Sequence, residues 1–403
     1  MRGSRYTGRS AARTETEEGD GSMRSKEETR VIRTAELDLV VVGMTAILLG
    51  TLLPAMRADY GFAYSFAGTL ISAASAGMVL MNLATGFLAM RIGQKRSFLL
   101  LIAVGALGFV LMLVTRNPAV LLVACLLTGA AKGAGSTYSS GIINSLAGDD
   151  NSLLNMSHVF FAVGACLAPL ILLISVQGTL GWQGAVLIMA VLSLIPLFFG
   201  LRMKLAEPQR TDGKKKVDWG FLKERDFWIS EGILFCYMTV ESAVIGWIVT
   251  YFSDAGVAAE GYAQVLNIVC WLAVLVGRIL CSYLTKKMSI ARLLLILSVF
   301  ACAAYLVMLS LHSLAGLFLV MILLGLGFSG VFASSITNAG ELFNRYPVSL
   351  GVFTTIASVG SIFIPTVMGA VADRSGIRSA MLILIIFFIG QVVFSVINYR
   401  KKG

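Results

Sequence analysis

The sequence is poor in charge, proline and histidine. Of its 403 residues 13% are charged, seven are proline and two are histidine, against 57% hydrophobic and a mean hydropathy of +0.84. A soluble fold of this size cannot withdraw so much apolar surface from water, which excludes an ordinary soluble domain. His158 and His312 stand far apart and offer no cluster for a metal centre. The six cysteines, Cys125, Cys166, Cys236, Cys270, Cys281 and Cys302, all fall in apolar runs with no CxxC pair, so neither disulfides nor a metal site is expected. G-x-S-x-G, H-E-x-x-H and Walker patterns are missing as well, which removes common hydrolase, metalloprotease and nucleotide-binding signatures. Neither an enzyme nor a cofactor is expected.

What the chain has instead is apolar runs of about 20 residues, enough to cross a ~30 Å hydrocarbon core. Twelve occur, near 35–56, 64–90, 97–115, 119–143, 153–175, 182–202, 227–252, 258–283, 290–310, 314–337, 348–372 and 377–398. The expectation is an all-α membrane protein of two six-helix bundles. Its parts are a disordered cytoplasmic tail over 1–34, bundles over 35–202 and 227–398, a hydrophilic central loop over 203–226 and a short cytoplasmic end over 399–403. The opening stretch is polar and lacks the apolar core of a secretory signal; Met23 is an alternative start and residues 1–22 carry no functional argument.

The net charge of +10 reports topology rather than a nucleic-acid partner. With the N-terminus inside, inner segments hold Arg24, Lys26, Arg30, Arg33, Arg91, Lys95, Arg96, the central-loop cluster, Lys286, Lys287, Arg292, Arg345 and Arg400 to Lys402. Outer loops hold only Arg57, Arg116, Arg374 and Arg378. This is the positive-inside bias, and it places both termini in the cytoplasm of a multi-pass inner (plasma) membrane protein.

The halves repeat each other. Val163, Gly164 and Pro169 of the fifth run map onto Val359, Gly360 and Pro365 of the eleventh at a constant offset of 196 residues, and "SSGIIN" ending at Asn144 is echoed by "SSITN" ending at Asn338. Duplicated bundles related by an axis along the membrane normal are an architecture of secondary transporters, with the solute site between the halves. Taken singly, each of these Gly and Pro residues reads as plain helix packing.

"GFLAMRIGQKR", Gly86 to Arg96, resembles the loop signature of the major facilitator superfamily through Gly86, Leu88, Arg91, Gly93 and Lys95, with Met90 where that family usually has aspartate. Three shorter strings resemble its fucose permease-like sugar transporter branch: Asn155, His158, Phe161, Gly164, Ala165 and Pro169; Tyr237, Glu241 and Trp247; and Gly277 with Arg278. The resemblance implies the major facilitator fold, gating by Gly86, Arg91, Gly93 and Lys95, and a cavity lined by the fourth helix. Fucose permease carries a proton-coupling glutamate four residues before an asparagine in that helix; Asn144 fits the asparagine, but Ser140 stands at the acidic position.

A charge at mid-membrane costs about 2.5 to 3.5 kcal/mol on insertion scales, so Lys132 needs a reason. Thr128, Lys132, Ser136, Ser140 and Asn144 recur every fourth residue and share a stripe with Ser139. Two readings stay open: a solute-facing stripe, or a helix contact in which the ammonium meets carbonyls. Glu241 is the natural counter-charge and the candidate proton carrier, with Tyr237 one turn away and Trp247 beyond; a structural ion pair with Lys132 or Arg278 is the alternative. Aromatic faces beside a carboxylate suit a sugar. His158, Asn267, Trp271 and Asn338 complete the candidate solute contacts, with Gln264, Ser334 and Ser335 secondary and Arg278 assigned to a gate. Asp38 reads as an exposed carboxylate at a helix start.

The expectation is a monomeric secondary transporter, in the lipid bilayer, of a small polar solute such as a sugar, coupled to a proton or another ion. The rival is an organic anion or zwitterion held by Lys132; a transport-inactive sensor is the remote alternative. Lys132 would repel a cationic drug.

Overall fold

The computed structural model describes residues 26–147, 151–176, 178, 180–203, 218–346 and 348–402, excepting the side chains of 147 and 151–158. The N-terminal bundle comprises α1 (Lys26–Tyr60), α2 (Tyr64–Ile92), α3 (Gln94–Val114), α4 (Pro118–Ala147), α5 (Asn151–Val176) and α6 (Gly181–Arg202). A short 3-10 turn, Gly220–Lys223, precedes the C-terminal bundle: α7 (Arg225–Asp254), α8 (Glu260–Leu284), α9 (Ile290–Ser310), α10 (Leu314–Phe328), α11 (Val331–Asn338), α12 (Gly340–Arg345), α13 (Ser349–Leu382) and α14 (Leu384–Lys402). With no water to satisfy backbone groups in the hydrocarbon, apolar runs of this length can only be helices.

Among the described residues eleven stretches are long and apolar enough to cross a bilayer, and the last, Ser349–Lys402, runs 54 residues. At 1.5 Å per residue that is about 80 Å, more than twice the hydrocarbon thickness. Gly376 interrupts it with φ 80° and ψ 160°, a conformation only glycine adopts freely, and α14 then packs back along α7 and α9. The stretch is two crossings, which brings the count to twelve among the described residues. The tenth expected run is divided between α10 and α11, with a break around Gly330.

Helix α1 corrects one expectation. It begins at Lys26, inside the segment expected to be a disordered tail, and Val31, Ile32 and Thr34 are buried against the bundle. The tail's charges hid a helical continuation of the first crossing.

The repeat is visible as contacts. A methyl group at Gly164 would lie 2.0 Å from the Val40 carbonyl of α1, and one at Gly360 would lie 1.8 Å from the Thr239 hydroxyl of α7. Equivalent glycines thus let equivalent helices touch in each half. The bundles meet along α2 with α13, α5 with α8 and α1 with α7. With twelve crossings, Lys26 and Lys402 fall at one end of the molecule, the terminus-bearing end; the other is the far end.

Candidate functional site

The small residues around Lys132 exist for packing. A methyl group at Gly129 would stand 1.9 Å from the Ala74 carbonyl, and one at Gly133 2.4 Å from the Met78 carbonyl, so α4 and α2 touch backbone to backbone. Lys132 leaves the helix on another face. It is half-buried, and among the described residues no carboxylate lies within 4.0 Å of its ammonium. Its electrostatic partner across the bundle interface is Glu241. Exposure along the stripe increases toward the terminus-bearing end: Thr128 is buried, Lys132, Ser136 and Ser140 are half-buried, and Asn144 is exposed.

Glu241 is held from its own helix. The Tyr237 hydroxyl lies 2.6 Å from Glu241 Oε1 and 3.1 Å from the Phe328 carbonyl, and its one proton serves these two acceptors. Arg278 and Lys132 are the two cations that act on the Glu241 carboxylate. Arg278 also stacks its guanidinium 5.8 Å from the Phe161 ring, joining α8 to α5. Two cations and one anion converge from α4, α7 and α8.

Asp38 is not the exposed helix-start residue expected. It is 3% exposed and accepts a 2.7 Å hydrogen bond from the Ser139 hydroxyl of α4. Because α1 starts at Lys26, Asp38 lies three turns inside it. A cavity of about 20 Å³, room for one water, is bordered by Asp38, Lys132, Thr45, Thr128 and Ser193.

Several expected solute contacts are elsewhere. Trp247 is fully buried and its ring packs 6.2 Å from Tyr64 near the far end, so it offers no open face. Trp271 and Asn267 are buried at 5% and 2% exposure. Gln264 donates to the Thr51 carbonyl and ties α8 to α1. Asn338 is bound inside the C-terminal bundle, its amide donating to Ser230 at 2.9 Å and to Asn398 at 3.0 Å. The side chain of His158 lies outside those described. Of the residues expected to gate, Gly93 (φ 88°) turns α2 into α3, Lys95 donates to the Leu201 carbonyl of α6, and Arg91 lies over Phe87 of its own helix. These contacts stay within the N-terminal bundle.

Sequence reasoning missed the closure at the far end. Arg57 of α1 pairs with Asp254 of α7 and lies 3.4 Å over the Tyr64 ring, while the Tyr64 hydroxyl donates to Asp254 at 2.9 Å. Asp373 of α13 accepts the backbone N–H groups of Tyr64 and Ser65 at 2.7 and 2.9 Å, capping the first turn of α2 from the other bundle. Ser72 and Thr366 add a 2.7 Å hydroxyl contact. At the terminus-bearing end of the same two helices, a methyl group added at Gly86 or Gly351 would meet no atom within 4 Å. The available signal was sign: Arg57, Asp254 and Asp373 sit at span ends where opposite charges from different halves can meet.

Two duplicated bundles, joined by polar contacts at one end and with open space beside Gly86 and Gly351 at the other, match the architecture of a transporter. The Major Facilitator Superfamily profile matches residues 39–365, and the chain belongs to that superfamily, whose members are transporters rather than enzymes. Among solved structures it is similar to a mutant of the nucleoside transporter NupG, at 16% identity over 93% of this chain and 100% of that one, with a TM-score of 0.74. It is also similar to a bacterial homologue of the human lysosomal transporter Spinster, in inward-facing occupied and unoccupied conformations, each at 13% identity over 94% of this chain and 98% of that one, with a TM-score of 0.73. No curated protein matches the sequence. At these identities the likeness is one of fold.

Proposed function

We propose that this transporter moves a small organic anion or zwitterion by alternating access, with Lys132 as the counter-charge of the solute. The observation that carries the reading is the half-buried Lys132 ammonium, on which Glu241 of the other bundle acts and which has no carboxylate within 4.0 Å among the described residues. A cation at this depth with no carboxylate in direct contact is costly, and a bound anion offsets that cost. Ser136, Ser140 and Asn144 continue the stripe toward the open end and suit the solute's polar groups. Glu241, near two cations, takes the ammonium of a zwitterion or balances Arg278.

The sugar reading keeps the support of the fucose permease-like motifs around Asn155 and Tyr237. Against it, Tyr237 spends its hydroxyl on Glu241 and Phe328, and the Trp247 face is covered by Tyr64. The basic bias of the inner segments supports cytoplasmic termini and an inner-membrane location, with the monomer as the working unit.

Binding tests the choice between solutes. In detergent, a panel of carboxylates, amino acids and neutral sugars is scanned by thermal unfolding. A ligand at about 100 times its Kd stabilises by about 2.7 kcal/mol. Carboxylates or zwitterions are expected to raise the Tm of wild type and to lose that effect in Lys132→Ala. Stabilisation by neutral sugars that survives Lys132→Ala would restore the sugar reading.

A further inference from the structure

One ionisable group takes no part in the arrangement between the bundles. Glu231, in the second turn of α7, is 2% exposed, and both carboxyl oxygens are buried with no hydrogen-bond partner among the described residues. Several charges at this end of the bundle have partners of their own. Asp226 pairs with Lys401, Lys402 donates to the Asn338 carbonyl, and Glu224 pairs with Arg345 at 3.6 Å. Residues 349–372 of α13 and all of α11, both packed on α7, contain no charged side chain. Arg278 of α8 acts on Glu241, and α1 meets α7 in the far half, where Gly50 abuts Ile245. Among the described residues no charged group is seen to act on Glu231. An ionised carboxylate left dry and unpaired costs several kcal/mol, far more than a neutral carboxyl.

Open space lies at the same end of the bundle. At the terminus-bearing end a cavity of about 650 Å³ is bordered by Glu224, Asp226, Thr337 and Asn338. Asn338 donates to Ser230, the residue before Glu231. One turn earlier on α11, the buried Ser335 hydroxyl also lacks a partner among the described residues.

We infer that Glu231 is a proton-binding site of the C-terminal bundle, carrying its proton in this conformation and exchanging it with water of the cavity beside Asn338. The step is a transfer from cavity water to a carboxylate oxygen and back, with no other bond changed. Glu241, the expected proton carrier, differs in its surroundings: it has a hydrogen-bond donor and two cations, and among the described residues Glu231 has neither.

The test is infrared difference spectroscopy on purified full-length protein in nanodiscs, which requires no solute and so stands apart from the anion reading. Wild type at neutral pH should show a carboxylic-acid C=O band that shifts promptly in D2O and vanishes at alkaline pH. The band should be absent from Glu231→Gln, an isostere of the protonated acid, displaced in Glu231→Asp and retained in Glu241→Gln. A band that persists in Glu231→Gln, or its absence from wild type, overturns the proposal. A band that does not exchange in D2O overturns the cavity route.

Discussion

Lys132 and the glycines beside it answer to different forces, and substitution separates them. A side chain at Gly129 would drive into the Ala74 backbone, which cannot yield as a flexible side chain does. Gly129→Val is therefore expected to lower stability by about 3 kcal/mol or more, read as a fall of several degrees in Tm. Gly86→Ala, with no atom within 4 Å of the new methyl, should leave Tm unchanged. Lys132→Met should keep or raise Tm, because it removes an intramembrane cation with no carboxylate in direct contact. A Lys132 that held the fold by binding carbonyls would instead lose stability on the same change. The spacing of the stripe and the oddity of one lysine among small residues were legible in the sequence. Whether the ammonium found a partner was not, since that depends on the distance between helices from different halves.

At the scale of the helix, the far-end latch sets which side is closed. Asp373 caps α2 across the interface, and such a cap contributes about 1 kcal/mol. Asp254 receives both Arg57 and Tyr64. Asp373→Asn combined with Asp254→Asn should therefore favour opening at the far end, by about tenfold for each 1.4 kcal/mol lost. Thiol labelling of Ser72→Cys, now covered by Thr366, reads the shift: faster labelling in the double variant is expected, and an unchanged rate would show that the latch does not set the conformation. The helices themselves were legible because membrane-length apolar runs admit no other structure. Their ends were less so. Charges at Lys26 to Arg33 concealed the first turns of α1, and this moved Asp38 from an expected surface position to the bundle interior.

The whole molecule is a duplicated fold whose halves touch along pairs of helices. The 196-residue offset announced the duplication, and Gly164 on Val40 with Gly360 on Thr239 shows what it preserves. The symmetry does not extend to the setting of Asn338: it echoes Asn144 in sequence, yet it is bonded to Ser230 and Asn398 within its own bundle while Asn144 is exposed. Duplicated helices keep their packing surfaces, but each half has put its polar residues to separate use. An anionic or zwitterionic solute is proposed to cross between the bundles on Lys132. The most direct measurement is uptake by proteoliposomes of labelled carboxylates, amino acids and neutral sugars, with wild type beside Lys132→Ala. Uptake of carboxylates or zwitterions that falls at least tenfold in Lys132→Ala is the predicted result. Sugar uptake that Lys132→Ala leaves intact would contradict it.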